Sequence, residues 1–153
     1  MFNFRLSNRS FATRAKNYVD GEWVSSTGRV FFKSKNPLDQ KIVRTIPQST
    51  KNEFDEAVSV AKSTFSTWKE VSVPQRVRCM LEYQKLLKDN TEELAGLITL
   101  EHGKTLVDAR GDVFRGIEVV ESTSNYSSLL MGETMENLSS GVDSYSYRHP
   151  LGV

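Results

Sequence analysis

Three groups of residues in this sequence are of types that could do chemistry. Gly103-Lys104-Thr105 matches the end of a phosphate-cradling loop, G-x-x-x-x-G-K-[ST], whose glycines let backbone N–H groups converge on a phosphate. Cys79 is a potential sulfur nucleophile, and such a group needs a nearby base; the only histidines are His102 and His149. Arg115, in the stretch "GDVFRGIE", carries a planar guanidinium whose fork can grip a carboxylate through two parallel hydrogen bonds. No metal site is expected, because two histidines and one cysteine at these separations match no ligand spacing.

Each group has a structural alternative. A phosphate loop would need its first glycine at position 98, where the sequence has Ile98, a β-branched residue ill suited to the turn. The preceding "NTEELAGLITLEHG" has helical apolar spacing, so Gly103 is expected to be the left-handed residue that stops a helix over 92–102. Lys104 would then sit beside the exposed carbonyls of that helix end. Cys79 lies among Met80, Leu81 and Leu86 on a helical pattern, where a lone thiol is expected to be a small buried apolar group rather than a catalyst. As the only cysteine it can form no internal disulfide. For Arg115 the local alternative is an exposed ion pair with Asp112 and Glu118, which spacing alone favours. Gly111 and Gly116 each cost about 1 kcal/mol relative to alanine inside a helix, so a close approach to that helix is expected.

The elements that must position these residues can be read in chain order. Asp20-Gly21, between apolar and aromatic runs, predicts a two-residue hairpin turn. Strands are expected over 30–35 and 41–46, joined by a turn at Asn36-Pro37 and Asp39, so residues 17–47 read as a small β-meander. Thr50-Lys51-Asn52-Glu53 and Ser72-Val73-Pro74-Gln75 are capping-box patterns that open two helices. A third helix spans 92–102. A fourth starts at Thr105 and runs on Leu106, Ala109, Val113, Ile117 and Val120 at helical spacing. "ETMENL" and "DSYSYRHP" then predict a terminal β-hairpin. The fold class expected is α+β: an amino-terminal β-meander, four helices and a carboxy-terminal hairpin.

A chain of 153 residues with 38% hydrophobic and 25% charged residues reads as one globular domain able to bury a sizeable core. Its net charge of +1 gives no electrostatic claim on nucleic acid, and no apolar run is long enough to span a membrane. The charge is unevenly spread. Residues 1–16 hold Arg5, Arg9, Arg14 and Lys16 with no acid, interleaved with Phe2, Phe4, Leu6 and Phe11. This is the composition of a mitochondrial transit peptide rather than of a secretory signal, and Arg9 shortly before Phe11-Ala12 resembles a matrix-protease cleavage context. The alternative is a basic tail. Matrix localisation is the expectation.

From residue 17 onward the sequence resembles the amino-terminal end of aldehyde dehydrogenases. "NYVDGEWV", "FSTWKEVSVPQRVRCMLEYQKLL", "ELAGLITLEHGKTLVDARGDVFRGIEVVE" and "SLLMGETM" with "YSYRHPLGV" carry the resemblance. Within the superfamily it is similar to the CoA-acylating methylmalonate-semialdehyde branch. The resemblance implies NAD and CoA as cofactors and a homo-oligomer, tetrameric by family. It also implies a role in valine and pyrimidine catabolism, with no nucleic-acid or membrane partner. The implied reaction begins with a cysteine thiolate attacking malonate or methylmalonate semialdehyde. Hydride then passes to NAD, CO2 is lost, and CoA accepts the acetyl or propanoyl group.

The resemblance also makes Arg115 the residue that recognises the substrate carboxylate and makes residues 17–153 an incomplete portion of the enzyme domain, part of its α/β NAD-binding region. The catalytic cysteine, glutamate and cofactor contacts of the family match no residue here, Cys79 included. The chain alone is therefore expected to be inactive and to hold no cofactor. A non-catalytic interaction protein that docks on full-length subunits is the alternative, and an unrelated helical binding module is a third reading.

Overall fold

The computed structural model describes residues 14–153. Most of the basic leader expected over 1–16 lies outside the described residues; Arg14, Ala15 and Lys16 lie within them. The chain divides into two compact units: residues up to Ala61 with Glu92–Arg110, and Lys62–Thr91 with Gly111–Val153.

The first unit holds four short strands, β1 (Asn17–Val19), β2 (Glu22–Val24), β3 (Phe31–Lys35) and β4 (Ile42–Pro47). β1 and β2 pair antiparallel, with Val19 opposite Glu22 across the Asp20-Gly21 turn. Both turn residues have positive φ, 52° and 80°, as the tight hairpin requires. Tyr18 stacks on its cross-strand partner Trp23 with ring centroids 4.9 Å apart. β3 and β4 form a second antiparallel pair. The strands are thus two separate pairs and not one continuous meander. The reason lies in the intervening 25–29 segment, which is bonded to a helix instead of to a strand. Thr27 N–H donates to Glu53 Oε1 at 2.6 Å, and Ser26 Oγ donates to Glu53 Oε2 at 2.8 Å.

Glu53 belongs to α1 (Lys51–Trp68), whose capping box forms as read: Thr50 N–H donates to Glu53 Oε2 at 2.8 Å, and Glu53 N–H reaches Thr50 Oγ1 at 3.3 Å. The same carboxylate therefore closes a helix and fastens the β2–β3 loop. α3 (Thr91–His102) and the first turns of α4 (Leu106–Glu121) complete this unit. Arg110 reaches back to Glu92 through two parallel bonds, 2.8 Å from Nε and 2.7 Å from Nη2, and ties the start of α3 to α4. Ala95, Ala109 and Val43 are its buried apolar residues.

The second unit contains α2 (Val73–Asp89), which packs against a 3₁₀ turn (Ser122–Asn125) and the one-turn helix α5 (Tyr126–Leu129). The sequence pattern did not register that short helical extension of α4. α2 begins with proline in its first turn, as read, yet Ser72 makes no side-chain cap. Pro74 has no N–H to offer, and the Ser72 hydroxyl instead donates to Gln75 Oε1 at 3.1 Å. Val113 and Ile117 of α4 are buried with Thr123, whose hydroxyl returns to the Val120 carbonyl at 2.6 Å. β5 (Thr134–Ser139) and β6 (Val142–Tyr145) form the terminal hairpin, with a register shift near Asn137.

The architecture is α+β, with four principal helices and small antiparallel strand pairs. The expectation of a sizeable core does not hold. Among the described residues five apolar side chains are buried, and no large side chain is completely covered. Two-stranded pairs and single amphipathic helices each need a further layer to close their apolar faces. Phe54, Phe114, Val119, Met131 and Leu138 accordingly stand more than half exposed.

Candidate functional site

The Gly103-Lys104-Thr105 segment is built as a helix stop. Gly103 has φ +80°, and its N–H donates to the Thr99 carbonyl at 2.9 Å, the single bond of a left-handed cap. A Cβ at this position would also lie 2.8 Å from Cγ of Pro37 in the β3–β4 turn. Glycine is thus required twice, by backbone conformation and by space. Ser34 Oγ donates to Glu101 Oε1 at 3.2 Å and adds a second tie between the end of α3 and β3. Thr105 then caps α4: its hydroxyl bonds Asp108 Oδ2 at 2.8 Å and accepts the Asp108 N–H at 3.2 Å. The Gly103 amide is committed to the helix end and cannot cradle a phosphate.

Cys79 is exposed on α2, where the sequence reading had it buried. α2 buries none of its residues completely, so the apolar pattern around Cys79 marks a face without a cover. Neither histidine hydrogen-bonds to it among the described residues. Nor do those residues contain a cluster of three or more His, Cys, Asp or Glu able to hold a metal ion.

Arg115 lies on the exposed side of α4 and is ion-paired with Asp112 one turn earlier. The bond uses Nη2, and the Arg115 side chain remains 69% exposed. Nη1 lies 3.5 Å from the place a Cβ on Gly111 would occupy. That is an ordinary van der Waals distance, so a methyl group there would only touch the guanidinium. Outside the helix's own backbone and the adjoining residues, nothing else comes within 4 Å of that point, and nothing does so at Gly116. The close approach expected at these glycines is made by no other element among the described residues. Phe114 and Val107 are exposed on the same helix. The result is a guanidinium, oriented by one carboxylate, on an open and partly apolar helix surface.

Among carboxylates outside these motifs, Glu53 is the strongly perturbed one. Glu53 is held down to about 2 by hydrogen bonds from the backbone N–H groups of Thr27 and Thr50 and from the hydroxyls of Ser26 and Thr27. Glu92 is lowered by its hydrogen bonds from Arg110. Both serve architecture. The Glu53 cap was legible from local spacing, whereas the partners Ser26 and Thr27 lie 27 and 26 residues away and leave no spacing signal.

Residues 23–153 match the aldehyde dehydrogenase family, and the chain belongs to it. A Dictyostelium discoideum protein named as a probable methylmalonate-semialdehyde/malonate-semialdehyde dehydrogenase, acylating and mitochondrial, is 46% identical over 151 residues. That match takes in 99% of this chain and 29% of the Dictyostelium protein. A Sinorhizobium meliloti 1021 structure bearing the methylmalonate-semialdehyde dehydrogenase name, complexed with NAD, superposes with a TM-score of 0.86 at 32% identity. The superposition covers 94% of this chain and 29% of that one. The methylmalonate-semialdehyde dehydrogenase of Oceanimonas doudoroffii gives 0.81 at 31% identity, covering 88% and 27%. This chain thus spans less than a third of the length of these relatives. No helix among the described residues is long and apolar enough to cross a membrane.

Proposed function

We propose that this chain is the amino-terminal part of a mitochondrial, NAD-dependent, CoA-acylating dehydrogenase of methylmalonate and malonate semialdehydes. It would release CO2 and form propanoyl-CoA or acetyl-CoA in valine and pyrimidine catabolism, working as a homo-oligomer in the matrix. The observation that carries this reading is the 46% identity across 99% of the chain to a relative bearing that acylating, mitochondrial name. Arg115 is the residue we assign to the substrate. Its exposed fork would take the free carboxylate of the semialdehyde, while Asp112 orients the guanidinium.

The one phosphate-loop-like segment among the described residues has its amide spent on the Thr99 carbonyl and its glycine against Pro37, which supports a cofactor site elsewhere. We assign cofactor binding and covalent catalysis to other residues of the longer protein, and the 153-residue chain alone is inactive on this reading. The test is to supply the longer protein with methylmalonate semialdehyde, NAD and CoA. NADH with stoichiometric propanoyl-CoA supports the proposal. Oxidation that is indifferent to CoA and yields a free dicarboxylate contradicts it.

One observation favours a second reading, an interaction protein that docks on full-length subunits: the hairpin residues Met135, Leu138, Val142 and Tyr145 are all exposed. A chain that co-purifies with full-length subunits without adding activity would support that alternative.

A further inference from the structure

Arg115 already holds one carboxylate, and it holds it at the atom a second carboxylate needs. A guanidinium offers two forked edges, Nε with Nη2 and Nη1 with Nη2, because Cδ blocks the edge between Nε and Nη1. Every two-pronged grip on a carboxylate therefore uses Nη2. That is the nitrogen that donates to Asp112 Oδ1. The two residues are three apart on α4, so the pair forms within one turn of the helix. The Arg115 side chain is 69% exposed and that of Asp112 33%, so an incoming ligand can reach both.

A second carboxylate has two ways onto this fork. It can displace Asp112, at the cost of the existing bond. It can instead take the other Nη2 hydrogen, which at ordinary bond lengths sets its oxygen roughly 5 Å from Oδ1 and two negative charges side by side. Both ways weigh against the ligand. An aldehyde without a carboxylate meets neither penalty.

We propose, on the strength of the assignment of Arg115 to the substrate, that Asp112 is an internal competitor for the substrate carboxylate. It occupies the fork in the free enzyme and yields it, or shares it against repulsion, when the semialdehyde binds. Asp112 thereby weakens the binding of anionic aldehydes and leaves uncharged ones alone. Exposed ion pairs are weak, which limits the effect to about fivefold in affinity.

The experiment is Asp112→Asn in the longer enzyme. Asparagine keeps an oxygen that can accept from Nη2 and orient the guanidinium, but it carries no charge. The KM for methylmalonate semialdehyde should fall about two- to fivefold with kcat unchanged, and neither constant should move for an uncharged aldehyde of similar size. In an Arg115→Leu background the same substitution should change nothing, because the competition acts through the fork. A KM that rises or stays constant overturns the competitor. So does a fall that persists without Arg115, which would be a general field effect of the lost charge. Either result leaves the substrate assignment standing as long as Arg115→Leu alone penalises the carboxylate-bearing aldehyde selectively. Equal losses on both aldehydes in Arg115→Leu overturn the assignment and the competitor together.

Discussion

Replacing Gly103 with alanine separates the two reasons for glycine at the end of α3. At φ +80° an alanine costs about 1–2 kcal/mol from the clash of its Cβ with the following carbonyl. The same Cβ would come within 2.8 Å of Pro37 Cγ, an overpacking that costs about 1–3 kcal/mol. The sum is roughly 2–5 kcal/mol, or a fall in Tm on the order of 4–20 °C for a chain of this size. Pro37→Ala removes the atom in the way and leaves the backbone demand. In the Gly103→Ala background it should recover the steric part only, giving a coupling of about 1–3 kcal/mol in a double-mutant cycle. Gly103→Asn should fare better on the backbone, because asparagine tolerates the left-handed region, and equally badly against the proline ring. Urea titration followed by the fluorescence of Trp23 and Trp68 provides the measurement. Strict additivity of Gly103→Ala and Pro37→Ala would refute the packing argument. Stabilisation of the parent chain by ATP or ADP, lost in Gly103→Ala, would refute the helix-stop account altogether.

Glu53 has its carboxylate lowered to about 2 from an ordinary value near 4.5, so its contribution to stability is complete above pH 4.5 and is lost as the pH falls toward 2. Glu53→Gln should lower stability at neutral pH and flatten the acid limb between those values; parallel denaturation curves for the two chains across that window would count against the four-bond account. Cys79, being exposed, should react with a thiol reagent in the native chain as fast as in urea, and marked protection would place it back in a core. The 153-residue chain alone should produce no NADH from methylmalonate semialdehyde, and activity that disappears in Cys79→Ser would overturn that expectation. With so many apolar side chains uncovered, the chain should also self-associate in sedimentation experiments as its concentration rises, and a monomer at high concentration would contradict this.

Local chemistry made most elements legible. Asp20-Gly21 adopts two positive φ values because that dipeptide suits the mirror-image turn, and Thr50 with Glu53 closes a helix because the partners are three residues apart. The four-residue spacing of Ala109, Val113 and Ile117 picked out the buried stripe of α4. What sequence could not deliver depended on distant partners. Apolar spacing says that a face wants cover, not that it has one, which is why Cys79 is exposed despite its pattern. The Ser72 box forms differently from its pattern: the Ser72 hydroxyl donates to the Gln75 side chain and makes no bond to the helix N–H groups. The grouping of the strands into separate pairs depended on Glu53 reaching Ser26 and Thr27, a contact with no periodic signature. At Arg115 spacing gave the Asp112 pair, the guanidinium's fork allowed a carboxylate grip, and the resemblance favoured the second role.

The most direct test of the central assignment is the effect of Arg115→Leu on two substrates in the longer enzyme. Loss of a charge-assisted carboxylate contact is worth about 1.5–3 kcal/mol. The kcat/KM for methylmalonate semialdehyde should therefore fall roughly tenfold to a hundredfold, while that for an uncharged aldehyde of similar size stays nearly unchanged. Arg115→Lys should recover little, because a point charge lacks the two-pronged geometry. Equal losses on both aldehydes would contradict the assignment and leave Arg115 as the partner of Asp112 and nothing more.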